Sequence, residues 1–143
     1  MKIAIGSDHG GFALKQMIAK ELLTLGHEIE DVGCHSLQSV DYPDYVLKVV
    51  SEITGGTCPC GILICGTGIG MSMAANRNPQ IRAALCHNEY TARMSREHND
   101  ANILCLGARV IGEGVAMEIV KAWLTASFTG GRHQQRIEKF SAH

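Results

Sequence analysis

The chain of 143 residues has no apolar run approaching the ~20 residues of a membrane-spanning helix, so no membrane partner is expected. It also lacks an excess of either charge. Thirteen Lys and Arg against fourteen Asp and Glu leave a formal net charge of −1, which provides neither a basic surface for nucleic acid nor a charged tail. Only three prolines are present, and no repeat, low-complexity tract or Pro-rich linker divides the chain. A single domain over residues 1–143 is the simplest organisation. The opening stretch MKIAIGSDHGG has no secretory h-region or cleavage site, and a cytoplasmic location is expected. Finally, there is no C-x2-C pair. The six cysteines (Cys34, Cys58, Cys60, Cys65, Cys86 and Cys105) are irregularly spaced, which argues against a disulfide framework or structural zinc. Most are expected to be small buried hydrophobes, and no metal site is expected.

What is present is an alternation of strand-like and helix-like segments. Lys2–Gly6 reads as an apolar strand. Leu14, Met17, Ile18, Leu22 and Leu25 follow at helical spacing, with Gly26 as the stop. Glu28–Val32 reads as a short strand. Asp41 can cap a second helix whose apolar face is Tyr42, Val46, Val49, Val50 and Ile53, ended by Gly55 and Gly56. Strands are further expected at Ile62–Cys65, Ile81–Cys86 and Ile103–Leu106. Helices are expected at Ile69–Asn76 and from an Asn88 cap to about His98. Val115, Ala116, Ile119, Val120, Trp123 and Leu124 suggest the most strongly amphipathic helix of the chain. A last helix is expected over about 131–140. The pattern implies an α/β fold, a single Rossmann-like three-layer domain with a parallel sheet covered on both faces.

In such sheets ligands bind beyond the carboxyl ends of the strands. Two of those exits carry chemistry. Ser7, Asp8, His9, Gly10 and Gly11 follow the first strand, and Cys65 with Gly66-Thr67-Gly68-Ile69-Gly70 follows the third. Backbone N–H groups opened by glycine at a helix start can bind an anion. The stretch is not a Walker A loop, and Met71 stands where a dinucleotide fingerprint requires glycine. Any strand-to-helix turn can use glycine, however. A helix start favours the thiolate of a cysteine that is otherwise mostly protonated near neutral pH, so Cys65 could act as a nucleophile or base. It could equally be a buried strand-end residue. Cys58 and Cys60 fall at the entry side of the strand and read as structural.

Asp8 could orient an imidazole or accept from a substrate hydroxyl, and His9 is well placed beside it. His98 ends a helix in SREHND, where a solvated surface histidine is the plain alternative. His27, His35, His87, His133 and His143 have less to recommend them. Arg132 and Arg136, four apart, share a helix face and could clamp a phosphate or simply be solvated. Arg109 follows a strand and is a further cation.

Together, GSDHGG, GILICGTGIGMSMAANR, SREHNDANILCLGARVIG and GGRHQQR, in that order over about Met1–Phe140, closely resemble the type B ribose-5-phosphate isomerases and their relatives acting on galactose 6-phosphate and allose 6-phosphate. The resemblance implies a phosphorylated-sugar substrate, no metal or organic cofactor, and a homodimer or dimer of dimers with the site at the subunit interface. It implies Cys65 as the base moving a proton between C2 and C1, assisted by Thr67. The backbone from Gly66 through Gly68, Ile69 and Gly70 would hold the enediolate. His98 would open the sugar ring, Asn99, Asp8 and His9 would contact substrate, and Arg132, Arg136 and Arg109 would anchor phosphate. Some relatives carry a glutamate base further along the glycine loop. Residues 66–76 here contain no carboxylate, so the chain is of the cysteine type. A phosphate- or nucleotide-binding module without catalysis would use the same turn and arginines, but would not need Cys65 and His98 together.

Overall fold

A computed structural model describes residues 1–141. Five parallel strands form one sheet in the order β2-β1-β3-β5-β4. They are β1 (Lys2–Ser7), β2 (Glu28–Gly33), β3 (Cys60–Cys65), β4 (Ala83–Leu85) and β5 (Ile103–Gly107). The helices are α1 (Phe12–Thr24), α2 (Tyr42–Thr54), α3 (Ile69–Ala75), α4 (Glu89–Glu97), α5 (Glu113–Thr125) and α6 (Arg132–Ser141), with a 3-10 turn at His9–Gly11.

The three layers follow from the period-2 alternation of the buried strands. Ile3, Ile5, Ile62, Ile64, Leu104 and Leu106 point to one face, where they pack with Ile18, Leu22, Ala92, Ile119, Val120 and Trp123 of α1, α4 and α5. Ala4, Leu63, Cys65, Ile103 and Cys105 point to the other, under Val46, Val49, Met71 and Ala75 of α2 and α3. The expected α/β three-layer fold is therefore present. Beyond β1 the chain first adds β2 on one side and then β3 on the other. That reversal opens a crevice between the carboxyl ends of β1 and β3, where doubly wound sheets bind ligands.

Several local expectations are corrected. The strand expected at Ile81–Cys86 shrinks to Ala83–Leu85, which pairs only with β5 at the sheet edge. Side chains take over its backbone bonds. Ala83 N–H donates to Asn76 Oδ1 at 2.8 Å, Asn76 Nδ2 donates to Ala83 O at 2.9 Å, and Arg82 N–H donates to Asn102 Oδ1 at 2.8 Å. Asp41 occupies the cap position of α2, but its carboxylate makes no capping bond. The Asn88 cap does form, its Oδ1 accepting from Thr91 N–H at 2.8 Å. Leu25 and Tyr42, expected on core faces, are exposed. On α5, Met117 is buried outside the expected stripe while Val115 within it is exposed. Apolar residues thus surround most of α5, and α4 is the more sharply two-faced helix.

Candidate active site

The exits of β1 and β3 lie side by side because the strands are paired, with Ser7 opposite Ile64. Asp8 N–H donates to Ile64 O at 3.2 Å, bringing Asp8–Gly11 against the glycine loop. At Gly11 the approach is close enough to exclude a side chain, and at Gly10 the two loops are in van der Waals contact. A Cβ on Gly11 would lie 2.4 Å from Ile64 O, and one on Gly10 would lie 3.5 Å from Gly66 N.

Cys65 is the last residue of β3 and is 6% exposed. Its Sγ accepts the N–H of Gly68 at 3.0 Å. That bond needs Gly68 in the left-handed region, φ 77°, where the chain turns back as the cap of α3. The amide dipole thus points at the sulfur, the arrangement that supports a negative charge there. Thr67 is exposed and its Oγ1 accepts from Ile69 N–H at 3.3 Å, while Ile69 itself is half exposed. Gly70 faces the ring of Tyr42, since a Cβ there would come 2.5 Å from Tyr42 Cζ. Tyr42, which helical periodicity had assigned to the core, therefore packs against the start of α3 instead.

Asp8 plays a structural part as well, its Oδ1 accepting from Gly11 N–H at 3.1 Å. His9 Nδ1 accepts the peptide N–H of Val40 at 3.2 Å. Arg109 joins the group from β5. Its N–H donates to Gly66 O at 2.9 Å, and its guanidinium spans both loops: a Cβ on Gly66 would lie 3.0 Å from Nη1 and one on Gly10 would lie 3.4 Å from Nη2. Arg109 makes no ion pair among the described residues, which leaves a free cation over the crevice.

The remaining candidates form a second group at the opposite edge of the sheet. His98 caps the carboxyl end of α4, which descends from the site edge toward the start of β5. There Gly61 N–H donates to Asn102 O at 2.9 Å, at the beginning of β3. The register Gly61–Ile103 to Cys65–Gly107 puts four residue steps, ~13 Å of strand, between the two edges. Arg132 and Arg136 gather on the His98 side. Thr129 ties α6 to α4 through N–H and Oγ1 bonds to Glu97 O at 3.0 and 2.8 Å. The His133 ring stacks on His98 with centroids 4.2 Å apart and planes inclined by 10°. Partial burial, then His98, Arg132 and Arg136, pull the His133 pKa below its usual value. Asn99 lines a cavity of about 280 Å³ on this edge with Arg82, Ala101 and Phe140. Within one chain, then, Asp8, His9, Cys65, the glycine loop and Arg109 come together, and His98, Asn99, Arg132 and Arg136 do not join them.

Among the described residues no group of three or more His, Cys, Asp or Glu side chains is placed to hold a metal ion. Among the described residues no helix is long and apolar enough to cross a membrane. Burial pushes the Cys60 thiol up to about 11 and raises Cys105, Cys86 and Cys58 as well.

Compared with known proteins, residues 3–140 match the family model described as Ribose/Galactose Isomerase. Ribose-5-phosphate isomerase B of Escherichia coli (strain K12) is 50% identical over 141 residues, covering 99% of this chain and 95% of that protein. The solved ribose-5-phosphate isomerase B of Clostridium thermocellum is 58% identical and superimposes with a TM-score of 0.98, covering 99% of this chain and 96% of the other. The enzyme of Mycoplasma genitalium, solved with bound ribulose-5-phosphate, is 40% identical with a TM-score of 0.95, covering 99% and 94% respectively.

Proposed function

The chain belongs to the ribose/galactose isomerase family, and from that premise we propose that it interconverts D-ribose 5-phosphate and D-ribulose 5-phosphate. The observation that carries the reading is the Cys65 sulfur, held by the Gly68 N–H at the crevice between β1 and β3 with the Arg109 cation beside it. An aldose–ketose exchange needs a base over the carbon next to a carbonyl and donors where negative oxygen develops. The Cys65 thiolate takes the C2 proton of the open-chain aldose. The electron pair moves into a C1–C2 double bond and leaves charge on the C1 oxygen. Those backbone N–H groups of Gly66–Gly70 that are not given to Cys65 Sγ or Thr67 Oγ1 stabilise that enediolate, with Thr67 beside them. The thiol then returns its proton to C1, and transfer of the hydroxyl proton from O2 to O1 completes the ketose. His9, Asp8 and Arg109 contact the substrate from the same chain.

A second copy supplies the rest. The sugar is mostly cyclic in water, so a separate acid/base must open it, and His98 has the chemistry for that step. In its own chain His98 lies a strand length from Cys65. We therefore assign His98, Asn99, Arg132 and Arg136 to the site of a neighbouring subunit in a homodimer, alone or paired into a dimer of dimers. The phosphate is remote from the bond changes, and anchoring it orients the reacting carbons.

The test is a panel of pentose and hexose phosphates on metal-stripped protein, with Cys65→Ala beside the wild type. Ribose 5-phosphate should be turned over, and Cys65→Ala should lower kcat by roughly 10²–10⁴-fold without loss of fold. Substrate binding with no isomer exchange would leave only the phosphate-binding module. A higher kcat/KM for allose 6-phosphate or galactose 6-phosphate would move the assignment to a hexose.

A further inference from the structure

The segment between β2 and α2 makes a contact that none of the roles above requires. It leaves the sheet under tight control. Asp31 Oδ1 accepts from Gly33 N–H at 2.9 Å, and Asp31 Oδ2 meets Nζ of the fully buried Lys15 at 2.5 Å. Cys34 N–H donates to Ser7 O at 2.8 Å, fixing the segment to the end of β1. At its far end Tyr42 lies against Gly70. Between these anchors, the Val40 peptide N–H donates to His9 Nδ1.

A ring nitrogen that accepts an N–H bond carries no proton, so in the neutral imidazole the proton must sit on Nε2. Nε2 makes no other bond among the described residues. We infer that the Val40 peptide N–H is a positioning group for this site: it fixes the His9 ring and its tautomer, so that His9 meets the substrate as an Nε2–H donor and not as a proton acceptor. The inference rests on the reading that His9 lines the substrate site. Proton abstraction is then left to Cys65, and His9 contributes a directed donor to an oxygen of the phosphorylated sugar. A peptide N–H serves this purpose without a second titrating group, because it keeps its proton at any pH at which the protein folds.

Nitrogen NMR on protein labelled with ¹⁵N tests the bond directly. A through-hydrogen-bond coupling between the Val40 amide nitrogen and His9 Nδ1, with the proton on Nε2, is expected. Val40→Ala, which keeps the N–H, should preserve both signals. Val40→Pro removes the donor; the coupling should vanish and kcat/KM should fall roughly 3–10-fold. A glutamine amide can donate from about the Nε2 position but cannot take a proton. His9→Gln should therefore recover most of the roughly 10–100-fold loss expected for His9→Ala. A proton found on Nδ1 in an active enzyme, or a His9→Gln variant as impaired as His9→Ala, would overturn the inference and leave the isomerase assignment standing. Absence of any sugar-phosphate exchange by wild-type protein would instead remove the reaction, while the coupling would still report the tautomer.

Discussion

At the residue scale, Cys65 is marked by the Gly68 N–H that its sulfur accepts at a strand exit. Cys60 lies at the opposite end of the same strand, where burial pushes its thiol up to about 11. A folded-state pKa above the unfolded value near 9.0 means that the folded protein holds the proton more tightly. The resulting stability is complete below pH 9.0 and is lost as pH rises through about 11. The shift corresponds to roughly 2–3 kcal/mol. Urea unfolding of wild type and Cys60→Ala at pH 8 and pH 11 measures it, because alanine cannot titrate: the stability difference between them should shrink by about that amount at high pH. His133 has the opposite sign. Its folded-state pKa is lowered, so protonation opposes the folded arrangement, and the contribution of the neutral ring fades as pH falls from about 6.5. A pH titration followed by NMR should show the His98–His133 stack loosening on the acid side. Among these residues only the placement of Cys65 before a glycine turn was visible in one dimension. His133, Tyr42 and Val40 acquire their contacts from elements far away in sequence.

At the element scale, the glycine loop is the part whose shape is most tightly constrained. Gly68 combines φ 77° with a backbone in its way, since a Cβ would lie 2.6 Å from Leu85 Cδ1 and 2.9 and 3.0 Å from Leu106 C and O. Gly68→Ala should cost roughly 2–4 kcal/mol and lower Tm by about 5–10 °C. It should also displace the N–H that meets Cys65, so activity should fall more than stability alone predicts. Gly114, in the first turn of α5, has open space around it. Gly114→Ala should stabilise by roughly 0.5–1 kcal/mol, and parallel thermal melts would show the opposite signs. Both glycines were visible in the sequence, but only the fold distinguishes them, through the left-handed φ of Gly68 and the approach of Leu85 and Leu106 to it. The short β4 escaped for a related reason: its apolar run looked like six residues of strand, while the side chains of Asn76 and Asn102 claim its backbone bonds.

At the scale of the whole molecule, the proposed function requires the site to be divided between copies. α6 buries only Ile137 among its residues, so little of it rests on its own chain. In a two-fold dimer each site would combine Cys65 of one protomer with His98 of the other. Mixing inactive Cys65→Ala and His98→Asn proteins after partial unfolding and reassembly should then restore activity to roughly a quarter of the sites, since half of each mixed dimer is intact. No recovery, with mixed dimers demonstrated by mass, would place each complete site within one chain.

The sequence by itself determined the alternation of strands and helices, the thiol at a strand exit and the two arginines one turn apart. These are local matters of period, spacing and turn chemistry. Only the tertiary structure decided which of these groups meet. Parallel pairing sends every strand exit to one edge of the sheet and returns every helix end to the other. Asp8, His9, Cys65 and Arg109 therefore share a crevice, while His98 and the α6 arginines are carried a strand length away. That separation depends on the direction and order of strands, which residue spacing along one chain does not encode.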